Sequence, residues 1–293
     1  MSLPLAYLAV VVIWSTTPLA VKWSAVNAGF IFSLLSRMSI AALLCLLLTV
    51  VMRSAWVWHK RAIAMYLLGG FNIFFSMILI YWGAQTISSG LIALIFGLMP
   101  LVTGIFAALI LKEKSLTPQK LSGIAIAFSG LMLIFYSKNT ESNAYMLAIA
   151  SVLVAVTWHS FGTVVFKRYA SDLPVMSLTT GGIIVSAIFL AAFWLYTDAH
   201  IPVNISVIGW GSIMYLSVIG SVLGFSLYFY ILKNIEASKI ALIPLVTPVA
   251  ALILGQYLNG ELPDSRIWGG AFLIIGGLSF YQLGGYLRKL LKK

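Results

Sequence analysis

The stretch Ile92–Glu113, IALIFGLMPLVTGIFAALILKE, decides how the rest of the chain is read. It is a long apolar run with Pro100 near its middle and an acidic residue where the apolar character stops. A second copy follows at Ile240–Glu261, IALIPLVTPVAALILGQYLNGE. Ile92-Ala93-Leu94-Ile95 recurs unchanged as Ile240-Ala241-Leu242-Ile243. Pro100 falls on Pro248, Ile105 on Ile253 and Glu113 on Glu261, all at an offset of 148 in a chain of 293 residues. Two halves of about equal length therefore carry the same long helical signal.

Composition sets the solvent those halves live in. Hydrophobic residues make up 61% of the chain and charged residues 9%, against roughly 25% charged in a soluble domain. So few charges cannot cover a water-facing surface, which leaves an integral membrane protein. The apolar runs last about 20 residues and do not alternate with period two, so they read as helices rather than barrel strands. The net charge of +11 reads as topology and not as nucleic-acid binding, because the basic residues lie between apolar runs or at the C-terminus. Cys45 has no partner for an intrachain disulfide, and His59, His159 and His200 show no metal spacing, so neither a metal nor a cofactor is expected. Met1-Ser2-Leu3-Pro4 lacks a basic n-region, so the first apolar run reads as a retained helix.

Ten spans are expected, near 5–21, 31–52, 62–82, 89–111, 119–136, 145–166, 175–196, 208–232, 239–258 and 266–287. With the N-terminus cytoplasmic, fourteen of the eighteen Lys and Arg residues fall on the cytoplasmic side, so both termini are expected inside. Five spans per half is an odd number, and the halves then cross the membrane in opposite senses. This is an inverted-topology repeat around a central site, as in many secondary transporters. Trp14–Lys22 (WSTTPLAVK) and Trp158–Lys167 (WHSFGTVVFK) form a fainter second match at an offset of 144. It places the junction in the polar segment Ser137–Ala144. The expected fold is all-α, with one five-helix repeat in residues 1–137 and a second, inverted, in 145–293.

These residues resemble the drug/metabolite transporter superfamily, in its ten-helix EamA branch. The pattern is Trp14-Ser15-Thr16-Thr17 with Lys22, Arg37, Pro100, Glu113, then Gln119, Gly123 and Gly130. The second half has Trp158, Pro248, Glu261, then Gly269, Gly270, Gly276 and Gly277. The resemblance implies export of amino acids or related metabolites across the inner (plasma) membrane of a bacterium. Two features depart from it: Arg37 has no counterpart in the second half, and no span carries the acidic residue that four-helix multidrug relatives use to exchange cations for protons.

Several residues are candidates for transport. A proline lacks the N–H that bonds four residues back, so Phe96 and Pro244 lose a helical partner for their carbonyls at Pro100 and Pro248. Free carbonyls at membrane depth line wet cavities or are covered by protein, which nominates both prolines as hinges or gates. Arg37 lies inside the second span, where a charge costs at least ~2.5 kcal/mol. It either turns inward to carbonyls, hydroxyls or a substrate anion, or snorkels to the surface. Lys22 is expected to snorkel. His159 is the one intramembrane group with an ordinary pKa near neutrality, and it reads as a packing residue or a proton relay. Trp14 and Trp158, beside Thr17 and Ser160, are expected to wall one central cavity. With Thr17, Arg37, Tyr81, Phe96, His159, Tyr228 and Thr247 they complete the substrate-binding set. Tyr81 and Trp82 also fit an interfacial belt. Glu113 and Glu261 end helices where the dipole disfavours an anion. Each is read as structural, with Lys112, Lys114 and Arg266 as partners at hand.

The expected function is a secondary transporter of small organic solutes working by alternating access, exporting amino acids, aromatic or otherwise neutral, or related metabolites. Multidrug or cationic-metabolite efflux, or uptake, is the alternative. An enzyme lacks support in the absence of HExxH, GxSxG or paired intramembrane carboxylates, and a scaffold has no use for two opposed copies. The partners expected are the solute, the bilayer and a coupling proton, with no nucleic acid, in a monomer or weak homodimer.

Overall fold

The structure is a computed structural model describing residues 2–53, 55–112, 117–135, 142–169, 173–197, 199–224, 227, 231 and 243–290, with the backbone alone at 245 and 283–290. The described elements are helices: α1 Leu3–Ala28, α2 Phe30–Val51, α3 Lys60–Ala84, α4 Ser89–Gly97, α5 Met99–Ile110, α6 Pro118–Phe135, α7 Asn143–Tyr169, α8 Val175–Thr197, α9 Val207–Tyr215, a π-helical segment Leu216–Leu223, α10 Ile243–Asn259 and α11 Ser265–Leu290.

Each of the ten expected spans contains helix. Among the described residues seven runs are long and apolar enough to cross a membrane: α1, α2, α3, Ser89–Ile110, α6, α7 and α8. Val207–Leu223 and Val246–Asn259 are shorter apolar helices. The fold is thus that of a polytopic membrane protein.

Helix ends follow local chemistry. Ser88 caps α4 by accepting the Leu91 N–H at 3.2 Å, and Ser206 caps α9 through Gly209 N–H at 3.1 Å. Asp264 does the same for α11 through Ile267 N–H at 2.8 Å. Gly29 is the single residue between α1 and α2; its φ of 71° reverses the chain in a region closed to most side chains.

The opening stretch lies at the centre. Leu91, Ile92, Leu94, Ile95, Leu98 and Leu101 are all at most 2% exposed, as expected for a helix apolar all round. The chain breaks there at Leu98, two residues before Pro100. Val102 N–H bonds back to Leu98 O at 3.1 Å, while Leu101 N–H makes a tighter 3.0 Å bond to the same carbonyl. α4 packs on α10, α1 on α9 and α10, α2 on α8, α3 on α7 and α8, and α5 on α7. α6 and α11 meet most closely. A methyl at Gly123 would lie 2.7 Å from Gly277 O, and one at Gly130 2.7 Å from Gly270 O. Backbones approach this closely only at small residues.

Hydrogen bonds sort the two ends of the bundle. At one end Trp23 Nε1 donates to Asn259 Oδ1 at 2.8 Å and Ser206 Oγ to Asn27 Oδ1 at 2.8 Å. At the other, Arg61 Nη2 donates to Tyr169 O at 2.6 Å and Arg168 Nη1 to Ile110 O at 3.1 Å. Arg61 and Arg168, grouped on one side by the charge count, therefore share one end.

Candidate functional site

Arg37, on α2, is 6% exposed. It turns into the protein, which overturns the snorkelling alternative. Its Nη1 donates to Tyr81 Oη of α3 at 3.2 Å, and its Nε and Nη2 to Ser221 Oγ at 3.4 and 3.3 Å. Ser221 lies in the π segment, and its hydroxyl donates at 2.9 Å to Leu216 O, five residues back. Ser221 was missed in the sequence. A serine in an apolar span gives no local cue, and the π register that aims it is set by packing.

The α1 motif reaches the same segment. Ser15 and Thr17 return their hydroxyls to Val11 O and Ile13 O, each at 2.7 Å. Thr16 pairs with the Tyr215 hydroxyl at 2.6 Å, at the last residue of α9. A methyl on Gly220 would stand 3.8 Å from Thr17 Oγ1, and one on Gly224 3.8 Å from Trp14 Nε1. Thr17, Arg37 and Trp14 thus border Gly220, Ser221 and Gly224, within two turns of one helix, and Tyr81 joins through Arg37. Pro18, inside α1, also escaped notice; it frees the Trp14 carbonyl.

Trp158 lies on α7. It lies with Phe106, Leu153, Val154, Thr157 and Phe161 on an open apolar groove of about 400 Å³ between α5 and α7. Phe75 meets it edge to face at 5.1 Å, and Phe71 at 6.0 Å. Its Nε1 is buried and has no acceptor among the described residues. The two tryptophans have different neighbours: Trp14 packs against the buried cluster of Ala6, Val10, Ile231 and Ile243, Trp158 against phenylalanines. His159 is half-buried; its imidazole makes no hydrogen bond among the described residues, and its carbonyl accepts Thr163 Oγ1 at 2.9 Å.

Phe96 and Thr247, both partly buried, precede Gly97 and Pro248. There α4 and α10 touch: a methyl on Gly97 would lie 3.4 Å from Pro248 Cγ. Pro248 thus sits against Gly97, three residues before Pro100. Tyr228 and Glu113 lie outside the described residues.

Glu261 finds its partners far away in sequence. Its Oε1 accepts Ser89 N–H at 2.9 Å and Asn259 Nδ2 at 2.9 Å; its Oε2 accepts Ser89 Oγ at 3.0 Å and Gly90 N–H at 3.3 Å. The carboxylate therefore sits on the N-terminus of α4, where the dipole favours it. A contact 172 residues away removes the difficulty that a helix C-terminal anion posed. Lys22 likewise does not simply reach for water. Its Nζ donates to Ile87 O at 2.7 Å and Ala84 O at 3.3 Å, closing the α3–α4 turn. Among the described residues no cluster of His, Cys, Asp or Glu is placed to hold a metal ion.

Comparison with known proteins adds a family. The EamA-like transporter family profile matches residues 2–136 and 146–282. The uncharacterized transporter YyaM of Bacillus subtilis (strain 168) is 29% identical over 226 residues, 75% of this chain and 73% of that one. The uncharacterized inner membrane transporter YedA of Escherichia coli (strain K12) is 27% identical over 209 residues, 69% of this chain and 65% of that one. One solved crystal structure of a protein superposes with a TM-score of 0.66 at 16% identity, over 98% of this chain and 99% of that chain. That likeness concerns the fold alone.

Proposed function

Since the chain belongs to the EamA-like transporter family, we propose that it is a secondary transporter exporting amino acids, aromatic or otherwise neutral, or related metabolites across the bacterial inner membrane. In this reading ten spans form two inverted five-helix halves, both termini are cytoplasmic, and access alternates around a central site.

The observation that carries the reading is the exchange pattern of helix contacts. Under the sequence offset, α1 corresponds to α7, α2 to α8, α3 to α9 with the π segment, α4–α5 to α10, and α6 to α11. The contacts α2–α8, α4–α10 and α6–α11 then map onto themselves, while α3–α7 maps onto α9–α1 and α5–α7 onto α10–α1. Corresponding contacts of this kind support two halves that exchange roles, which is what rocking around a fixed site needs. YedA's name as an inner membrane transporter supports the location. All seven Asp and Glu residues fall outside the ten expected spans, which favours neutral or zwitterionic solutes over cations.

Purified protein in liposomes, screened with labelled amino acids, tests the reading. Uptake or counterflow of at least one is expected, with Trp14→Ala and Trp158→Ala changing the rate. If no amino acid or related metabolite moves, and none raises the thermal unfolding temperature, the amino-acid reading fails. If both tryptophan variants transport like the parent, these residues are packing.

A further inference from the structure

We propose that Arg37 is the docking point for a carboxylate group on the transported solute, with Tyr81 and Ser221 holding the guanidinium ready. The proposal deepens the transporter reading above and rests on it.

A guanidinium has five N–H donors, no acceptor and a permanent charge. Here it is 94% buried, and its three bonds reach two neutral oxygens at 3.2–3.4 Å. Among the described residues, at least two of its N–H donors are left over. Intramembrane charges are normally paired or face a water-filled path. No acidic residue lies in any expected span. Glu261 is spent on Ser89, Gly90 and Asn259. The missing counter-charge must then come from outside the spans. A carboxylate matches the planar fork in two parallel bonds, and such charge-assisted bonds are shorter and about twice as strong as neutral ones. It can displace hydroxyls held at these lengths.

The surroundings suit a ligand. Ser221 is aimed by a π register, and π segments are rare and frequently found at functional sites. Leu216 O takes the serine proton, which turns the oxygen lone pairs to Arg37. Trp14 stands at Gly224, within one turn of Ser221. A solute with its carboxylate on Arg37 therefore has the Trp14 indole, a large and mostly apolar group, one turn away. The charge belongs to one half of the molecule only. The position 148 residues on is Val185, which packs against Gly70. The repeat supplies the frame, and Arg37 with its π segment supplies the chemistry that the repeat does not duplicate. The ligand class is a monocarboxylate, as a free acid anion or as a zwitterion; a bare amine is excluded.

Ligand protection against thermal unfolding tests this, with three compounds for each of three side chains: alanine, leucine and phenylalanine, their des-amino acids (propanoate, 4-methylpentanoate, 3-phenylpropanoate) and their decarboxylated amines. Carboxylate-bearing members of at least one set should protect, and the matching amine should not. Arg37→Gln should weaken that protection tenfold or more, with Arg37→Lys keeping part of it. Tyr81→Phe keeps the buried ring and should weaken it severalfold; it decides the matter if Arg37→Gln does not fold. Amines that protect as well as acids, no protection by any carboxylate, or parental affinity in Arg37→Gln and Tyr81→Phe would each overturn the proposal. Protection by des-amino acids without transport of any amino acid would leave the Arg37 site standing and sink the amino-acid reading instead.

Discussion

Replacing Glu261 by alanine strips the N-terminus of α4 of its acceptor. Four bonds at 2.9–3.3 Å disappear. Two of them satisfy Ser89 and Gly90 N–H groups that have no acceptor inside the helix. Loss of a cap costs about 1–2 kcal/mol, and loss of the anion from the positive end of the dipole adds about 0.3–1 kcal/mol. Ser88 still caps Leu91, and Glu261 is only partly buried, so about 2 kcal/mol in all is the expectation. At 2–4 °C per kcal/mol, the melting temperature should fall by roughly 4–8 °C. Gly255 offers a control in the same place. A methyl there would run into the Glu261 carboxylate and stand 2.8 Å from Ser89 Oγ. Gly255→Ala alone should therefore cost about 1–3 kcal/mol by overpacking. With Glu261→Ala already made, the main obstacle is gone. The second change should then cost at least ~1 kcal/mol less, well beyond the ~0.5 kcal/mol scatter of independent sites. Thermal unfolding of the four proteins in one detergent measures this. Additive shifts, or a melting temperature unmoved by Glu261→Ala, would refute the account of Glu261 as the cap of α4.

Gly123→Leu should strongly destabilise the protein. Its side chain meets the Gly277 carbonyl at 2.7 Å and Tyr281 N at 2.8 Å, and backbone cannot give way as a side chain can; a melting temperature within a degree of the parent would contradict this. Single cysteines at positions 60 and 114, in a Cys45→Ala background, should label with an impermeant maleimide only from the cytoplasmic side. Labelling from outside would invert the assigned topology.

Much of the fold could be read from the chain because apolar run length is a local property. The helical spans follow from runs and spacings. The site was partly legible for the same reason: an arginine inside an apolar span is conspicuous whatever surrounds it. What it touches was not legible. Ser221 looks like any serine until a π turn aims it. Glu261 looked misplaced at a helix end because its partners, Ser89 and Gly90, are joined to it only by folding. Trp14 and Trp158 match in sequence yet face different neighbours, because equivalent positions need not share an environment.

The break at Leu98 bears on this last point. Ile92–Glu113 and Ile240–Glu261 carry one pattern; the first takes a turn at Leu98 between α4 and α5, while α10 is continuous helix from Ile243 through Pro248 to Asn259. In the alternating-access reading proposed above the two copies would change places, and Arg37, present in one half only, would keep the two states from being equal in energy.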